Sequence, residues 1–541
     1  MINIKELQKK VNNKSFDIKK LNKIQKIAFD ELINRGLIDL SNSKFNNNRI
    51  EKKINLFNFK TFKKSNNKKI NFKLDQTYIK LIEKLYDLDR CHSGPEMVKA
   101  YNLLNKHYKG SELLKTKYNK KVNFWKCPPY WECKEATLID NKGKIIASKK
   151  INNLMVFSYS PPVEKVVSLK ELQKHLLSDP KRPDDIIYHF RNQYRFWNAD
   201  WGFSIPHNIR KKLSNKVMYK VKIKSKFNFK KDLVQSQYIH KGINKDTYIF
   251  MGHFDHASQA NDGLTGCIAA YEIIKSLDNL KTNFSYRAFA SVEIVGSVFF
   301  LDKYKYLLKY FKGVIFLGFS GINAPMVYQL SYNENSYIDK ICEHILFFKS
   351  ASKKNIYKHR ELAGNDENVF DSANIDIPSS TVMRWPFKDY HTEKDNLKNT
   401  KKNKIDEVIS FGKKIIFILE NNVKVKLNYD GLLSVSSPEI NLYFEDFRYP
   451  KIPPIQTQNQ TDDEKNAFIK KTKDLFKDLD YQELQYVKSK KKLLGKLMKN
   501  FIRMSDGKNT LLDIAQKSQI PFSIVLNYAV LFKEKKLITL S

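Results

Sequence analysis

The sequence predicts an α/β fold: a mostly parallel sheet with helices on both faces, interrupted by a β-rich module and followed by a winged-helix outline. Three observations carry that expectation. From residue 216 to 422 apolar strands alternate with amphipathic helices, the rhythm of βαβ units closing a parallel sheet. Between residues 124 and 207 the pattern changes to short alternating strands, turns and aromatic clusters, FWKCPPYWEC and YRFWNADWGF, which hold most of the tryptophans. From about residue 485 the chain reads helix, turn at Ile520-Pro521, second helix and short strand.

Taken in order, residues 1–75 form a Lys- and Asn-rich extension. The spacing of Leu21, Ile24, Ile27, Ala28 and Leu32 predicts a helix stopping at Gly36, and SNSKFNNNRIEKK reads as a linker. Residues 76–121 open the main domain with two helices, TYIKLIEKLYDL and GPEMVKAYNLLNKHY, separated by DRCHSG; Cys91 and His92 at that junction are weighed as a catalytic pair and set aside, since adjacency in sequence does not bring two side chains together. Residues 122–210 are the inserted β-rich module, whose aromatic rings serve its own core or stack on a sugar or peptide. Residues 211–430 carry the metal-binding catalytic segment, 431–484 a linker, and 485–541 the winged-helix outline. Its second helix begins PFSIVLNYAVLF, too apolar for a base-reading helix, so protein contact or packing is expected and nucleic acid is not.

The chemistry concentrates in YIFMGHFDHASQANDGLTGCIAA, residues 248–270. A buried strand ends at Gly252, and His253, Asp255, His256 and Asp262 follow before a helix begins. The carboxyl ends of parallel strands are where open α/β sheets bind ligands. Imidazole with carboxylate suits zinc above other divalent cations. Any one of these residues alone would read as a satisfied core histidine or a helix cap; four in one loop read as a site. Two further strands, SYRAFAS ending toward Glu293 and PSSTVMRW delivering His391, aim acid and imidazole at the same rim. On an extended strand His253 and Asp255 point one way and His256 the other, so a strand persisting through 256 would let only one histidine face the metal, and His253, oriented by Asp255, is the one favoured.

Formal net charge is +40, yet Lys, Asn, Ile and Phe are abundant together, and the charge is read first as solvated surface. With 36 Phe and 28 Tyr in 541 residues the chain is no disordered polyelectrolyte. Five cysteines without a CxxC pair argue against both a disulfide framework and a cysteine-built metal site. No run of about 20 apolar residues occurs, and the expectation is a cytoplasmic protein without a membrane span.

GHFDHASQANDGLTG, SVEIVGS and YHTEKDNL resemble the metal motifs of M28-type zinc aminopeptidases. The collinear series YDLDRCHSG, FWKCPPYW, DWGFSIPHN, GNDENVF and DYHTEKDNL resembles more closely the aminopeptidase-like DUF4910/DUF2172 proteins, associated with polysaccharide biosynthesis and ending in a winged helix, over residues 76–541. The resemblance implies an M28-like fold. It implies metal ligands at His253 or His256, at Asp262 and at His391, with Asp255 behind the first histidine and Glu293 as general base. M28 enzymes use two adjacent Glu and a further Asp; here Val292 and Ile294 flank a single Glu, and the segment after Gly318 reads FSGINAP. One zinc per chain is therefore expected. Asp366 and Glu367 are candidates for holding a substrate amine, Arg384 and Tyr390 for steadying an oxyanion. The leading expectation is a zinc-dependent hydrolase cleaving an amide in a peptide or an aminoacyl or acyl amino-sugar. A catalytically impaired binding protein on the same fold is the alternative. A homo-oligomer or a protein partner at the winged helix is left open.

Overall fold

The computed structural model describes residues 77–350, 355–444, 470–490 and 492–541; the helix and linker expected within residues 1–75 lie outside them. The centre is an eight-stranded sheet in the order 112–116, 233–240, 285–291, 247–253, 311–317, 379–384, 326–329, 356–357. The four central strands, Ser285–Ser291, Thr247–His253, Phe311–Leu317 and Ser379–Arg384, run parallel. Strands Leu233–His240 and Met326–Gln329 flank them antiparallel. The predicted mostly parallel α/β sheet is thus observed.

Burial on both faces explains why the central strand reads as an unbroken apolar run. Tyr248 and Phe250 point into one hydrophobic layer, shared with helices Thr77–Tyr86, Pro95–His107, Leu264–Lys275 and Lys402–Asn421. Ile249 and Met251 point into the other, with Val298, Phe300 and Leu301 of helix Val295–Lys303 and with Phe370. Each such side chain contributes roughly 1.5–3 kcal/mol by leaving water. Helix Leu264–Lys275 sits so close to the sheet that a Cβ on Gly266 would lie 1.8 Å from the Leu317 carbonyl oxygen. That contact brings the helix start, and the loop before it, to the carboxyl edge of the parallel strands.

A second sheet of four antiparallel strands, ordered Ile145–Ser148, Tyr130–Asp140, Tyr219–Asn228, Val163–Val167, packs over its own core of Trp131, Tyr159, Trp201 and Phe203. The sequence reading drew the module's edge at residue 210, but Tyr219–Asn228 pairs with Tyr130–Asp140 along its whole length. The alternation of VMYKVKIKSKF belongs to this sheet and not to the catalytic segment.

At the C-terminus helices Tyr481–Ser489, Leu493–Met504, Leu511–Ser518 and Phe522–Glu534 accompany strands Asp506–Thr510 and Ile538–Leu540. Both strands pair with Lys424–Leu427, directly after the last helix of the main domain, so the tail is stitched to that domain by a three-stranded sheet. The apolar face of Phe522–Glu534 is buried: Phe522, Ile524, Val525, Tyr528 and Phe532 are core residues. Leu442, Phe444 and Leu475 join the same core, so the described part of the expected 431–484 linker is packed. Among the described residues no helix is long and apolar enough to cross a membrane, and all five cysteines are free and buried.

Candidate metal centre and active site

The Thr247–His253 strand stops at His253, and the chain then turns sharply: His256 and Ser258 lie in the left-handed region, at φ of 75° and 52°. The strand does not persist through His256, so the geometry that would have sent His253 and His256 to opposite faces is absent, and both side chains reach the cluster. Ligand atoms of His253, His256 and Asp262 all lie within 4.8 Å of one another, and all three residues are buried. His253 Nε2 is 3.1 Å from Asp262 Oδ1, His256 Nδ1 is 3.4 Å from Asp262 Oδ2, and His391 Nε2 is 3.0 Å from Asp262 Oδ2. Across the cluster, Glu293 Oε2 lies 3.4 Å from His256 Nε2. Three strand ends thus meet as expected, with Asp262 at their common point.

Both nitrogens of His256, Oδ2 of Asp262 and Nε2 of His391 are buried without a satisfactory hydrogen bond. Orphaned donors and acceptors at this density cost free energy unless something else occupies them. A two- or three-histidine, one-carboxylate set is the donor chemistry of a borderline-soft divalent cation, so the residues present fit zinc.

The electrostatics favour the ionised carboxylates. Burial opposes the charge on Asp262, but the charge of His256, the hydrogen bond with His253 and the close approach of His391 hold it well below the usual carboxylate range. Burial likewise opposes Glu293, and the nearby His256 pulls its pKa down. A carboxylate kept ionised at the rim can accept a proton. The Tyr194 hydroxyl donates a hydrogen bond to Glu293 Oε2.

Asp255 lies behind the first histidine. Its Oδ1 is 3.4 Å from His253 Nδ1 and accepts the Glu293 backbone N–H at 3.1 Å, tying the first histidine to the acidic residue. Its other oxygen is 3.1 Å from His92 Nε2, and both residues are fully buried. His92 is thereby a site residue missed at the sequence level. Its sequence neighbour Cys91 turns its thiol to the Ser93 carbonyl, and burial pushes that thiol well up, toward the neutral form. Arg90 was missed too. Its buried guanidinium donates to the carbonyls of Leu85, Phe254, His256 and Gln259, so one side chain holds the histidine loop from behind. Replacing Arg90 by Met takes the donor from the Phe254, His256 and Gln259 carbonyls; the Leu85 carbonyl keeps the Leu88 N–H. We expect a loss of at least ~3 kcal/mol in stability, read by denaturant titration, since each buried unsatisfied acceptor costs ~1–3 kcal/mol.

The other wall of the loop is locked by Asp395, four residues after His391. Its carboxylate accepts from Asn261 N, Asn261 Nδ2 and Asp262 N at 2.8, 3.0 and 2.9 Å. Burial pushes Asp395 up to about 7.

The remaining candidates divide. Tyr390 stacks on His391 at 3.8 Å between ring centroids and stands at the site. Arg384 does not: its guanidinium donates to the Ser320, Ala324 and Lys404 carbonyls and to Glu407, a structural clamp behind the strand. Asp366 is buried beneath the Glu293 loop, accepting from Ile294 N and the Ser297 hydroxyl at 3.0 and 2.5 Å, and burial pushes it up to about 7. Glu367 accepts from Asn365 N, is equally buried, and is pushed up to about 7. These two are internal acids, neither solvated nor reaching for a substrate amine.

The inserted module contributes directly. Tyr188 N–H donates to the His391 carbonyl at 2.9 Å, and Arg182 donates to the Tyr390 carbonyl at 2.8 Å. The Tyr188 ring lies 4.8 Å from His256 and 5.3 Å from His391. YHFRNQYRFW is therefore one wall of the site, which its aromatic richness alone did not announce.

Comparison with known proteins follows this geometry. The model of a domain of unknown function, DUF4910, matches residues 79–422. A Clostridium acetobutylicum protein, provisionally named a polysaccharide biosynthesis protein with an aminopeptidase-like domain, is 30% identical over 346 residues, or 63% of this chain and 77% of the relative. A crystal structure from the same organism, provisionally described as a peptidase, superposes with a TM-score of 0.68 at 26% identity, covering 89% of this chain and 99% of that one. An M28 peptidase precursor from Shewanella amazonensis aligns at a TM-score of 0.46 and 11% identity, over 67% of this chain and 96% of that one.

Proposed function

The chain belongs to the DUF4910 family, and from that membership and the site's geometry we propose that it is a zinc-dependent hydrolase of the aminopeptidase kind. Its substrate would be an amide in a peptide or in an aminoacyl or acyl amino-sugar. The observation that carries this reading is the convergence of His253, His256, Asp262 and His391, with unpartnered atoms, beside the Glu293 carboxyl. The name of the Clostridium relative supports a setting in polysaccharide biosynthesis.

In this mechanism His253, His256, Asp262 and His391 would hold one zinc ion. When bound, zinc polarises the scissile carbonyl and acidifies water. Glu293 takes the proton from the attacking water and returns it to the leaving amine. The Tyr194 hydroxyl donates to Oε2 and fixes the carboxylate's orientation, which leaves Oε1 to take the proton. Asp255, steadied by His92, orients His253 through Nδ1, the role that carboxylates play behind metal-binding imidazoles. Tyr188 and Tyr390 cover the two outer histidines and keep bulk water from them.

A catalytically impaired binding protein is the second reading, favoured by one observation: Glu293 stands between Val292 and Ile294 with no second acid, and no carboxylate occurs in residues 318–325. Turnover of a panel of aminoacyl amides and N-acylated amino-sugars decides between them. The hydrolase reading predicts activity that a chelator abolishes and zinc restores. Background turnover across the panel by fully zinc-loaded protein would favour the binding protein.

A further inference from the structure

Beside the reactive centre the protein leaves aromatic rings in water. Phe190 is 46% exposed and 5.4 Å from the His391 ring; Trp197 is 59% and Trp125 37% exposed, and Phe124 is 99% exposed. None of the four serves the module's core. They form a series: Phe190 packs at 6.4 Å against Tyr194, and Tyr194, Trp125, Trp197 and Phe124 together line a cavity of about 180 Å³. Tyr194 belongs to both places, since its hydroxyl holds Glu293.

The backbone singles out the far end of this series. Strands Lys121–Val122 and Trp125–Lys126 form a hairpin whose two turn residues, Asn123 and Phe124, have φ of 47° and 66°. Such a turn ordinarily takes Asn-Gly, because glycine meets no penalty at positive φ. A phenylalanine there is strained and also fully hydrated, a combination expected where a side chain is kept for binding.

We propose that this aromatic strip is a saccharide-binding subsite continuous with the reactive centre. The inference rests on the hydrolase reading and narrows its substrate to an amide carried on a glycan. An isolated apolar side chain would call for an enclosed pocket. A run of exposed rings suits a ligand that is itself amphipathic, whose C–H groups pack on the rings while its hydroxyls stay in water. The cations are compatible: Lys126 Nζ lies 5.2 Å over the Trp197 ring, and Arg191 and Arg195 are exposed beside it, which favours an acidic or acylated sugar over a cationic one.

The test is binding, read apart from turnover. Trp125 and Trp197 are exposed reporters, so tryptophan fluorescence is titrated with chitotriose and with a hyaluronan tetrasaccharide, and with the tripeptide Leu-Phe-Leu as the competing class. Saturable binding of at least one saccharide is expected in wild type and in Glu293→Gln, weakened about tenfold in Trp197→Ala and Phe124→Ala, as loss of a stacking platform predicts. Both substituted rings are exposed, so melting temperatures should match wild type and exclude unfolding as the cause. Absence of saturable saccharide binding, or affinities unchanged in both variants, overturns the subsite. Tripeptide binding that depends on the same two rings overturns the saccharide class. Saccharide binding with the expected ring dependence, in a protein that hydrolyses nothing in the amide panel, keeps the subsite and removes the hydrolase reading beneath it.

Discussion

Glu293→Gln is expected to lower amide hydrolysis by ~10²–10⁴-fold, the usual contribution of a positioned general base. The replacement is nearly isosteric. Glutamine can still accept from the Tyr194 hydroxyl, and four other donors remain for the metal, so zinc content and melting temperature should stay near wild type. A split of this kind, with turnover lost and metal kept, is the signature of a base. Loss of zinc from the variant would make Glu293 a ligand and leave the base unidentified.

The second large effect concerns the two histidines of the loop. Because His253 and His256 both reach Asp262, at 3.1 and 3.4 Å, replacing either by alanine should strip the metal. The drop in affinity should exceed the ~10–100-fold that accompanies loss of a ligand's outer partner. His92→Ala supplies that milder comparison, since His92 reaches the histidine loop through Asp255 and otherwise packs its ring against Tyr194. Full zinc retention in His253→Ala with loss in His256→Ala would reduce the set to three donors and make His253 a packing residue. Metal analysis after dialysis against graded chelator ranks the three variants.

Much of this was legible in the sequence because it is local. The apolar run of 248–251 has no polar alternation, which only a strand buried on both faces requires, and the carboxyl edge of such a strand announces a site. Asp262, Glu293 and His391 could be placed on one rim from strand order alone. What failed did so for physical reasons. Period-two alternation was carried past His253, but the chain leaves the strand there, and His256 at positive φ swings back toward the cluster. Arg384 looked poised for an oxyanion; nothing in the sequence could reveal that the Ser320, Ala324 and Lys404 carbonyls claim it. Arg90 and His92 were invisible as site residues because they act from more than 160 positions away, through contacts that only the packed fold creates. Their one trace was YDLDRCHSG, a polar cluster between two helices where a plain turn would have sufficed.

The reading of these four side chains as a hydrolase centre requires one metal ion among them. Anomalous scattering recorded above and below the zinc edge, from crystals of the protein purified without chelator and supplied with zinc, locates it without any assumption about activity. A single peak is predicted within bonding distance of His253, His256, Asp262 and His391, on the side facing Glu293. No peak there, or two peaks sharing Asp262, would contradict the one-zinc centre.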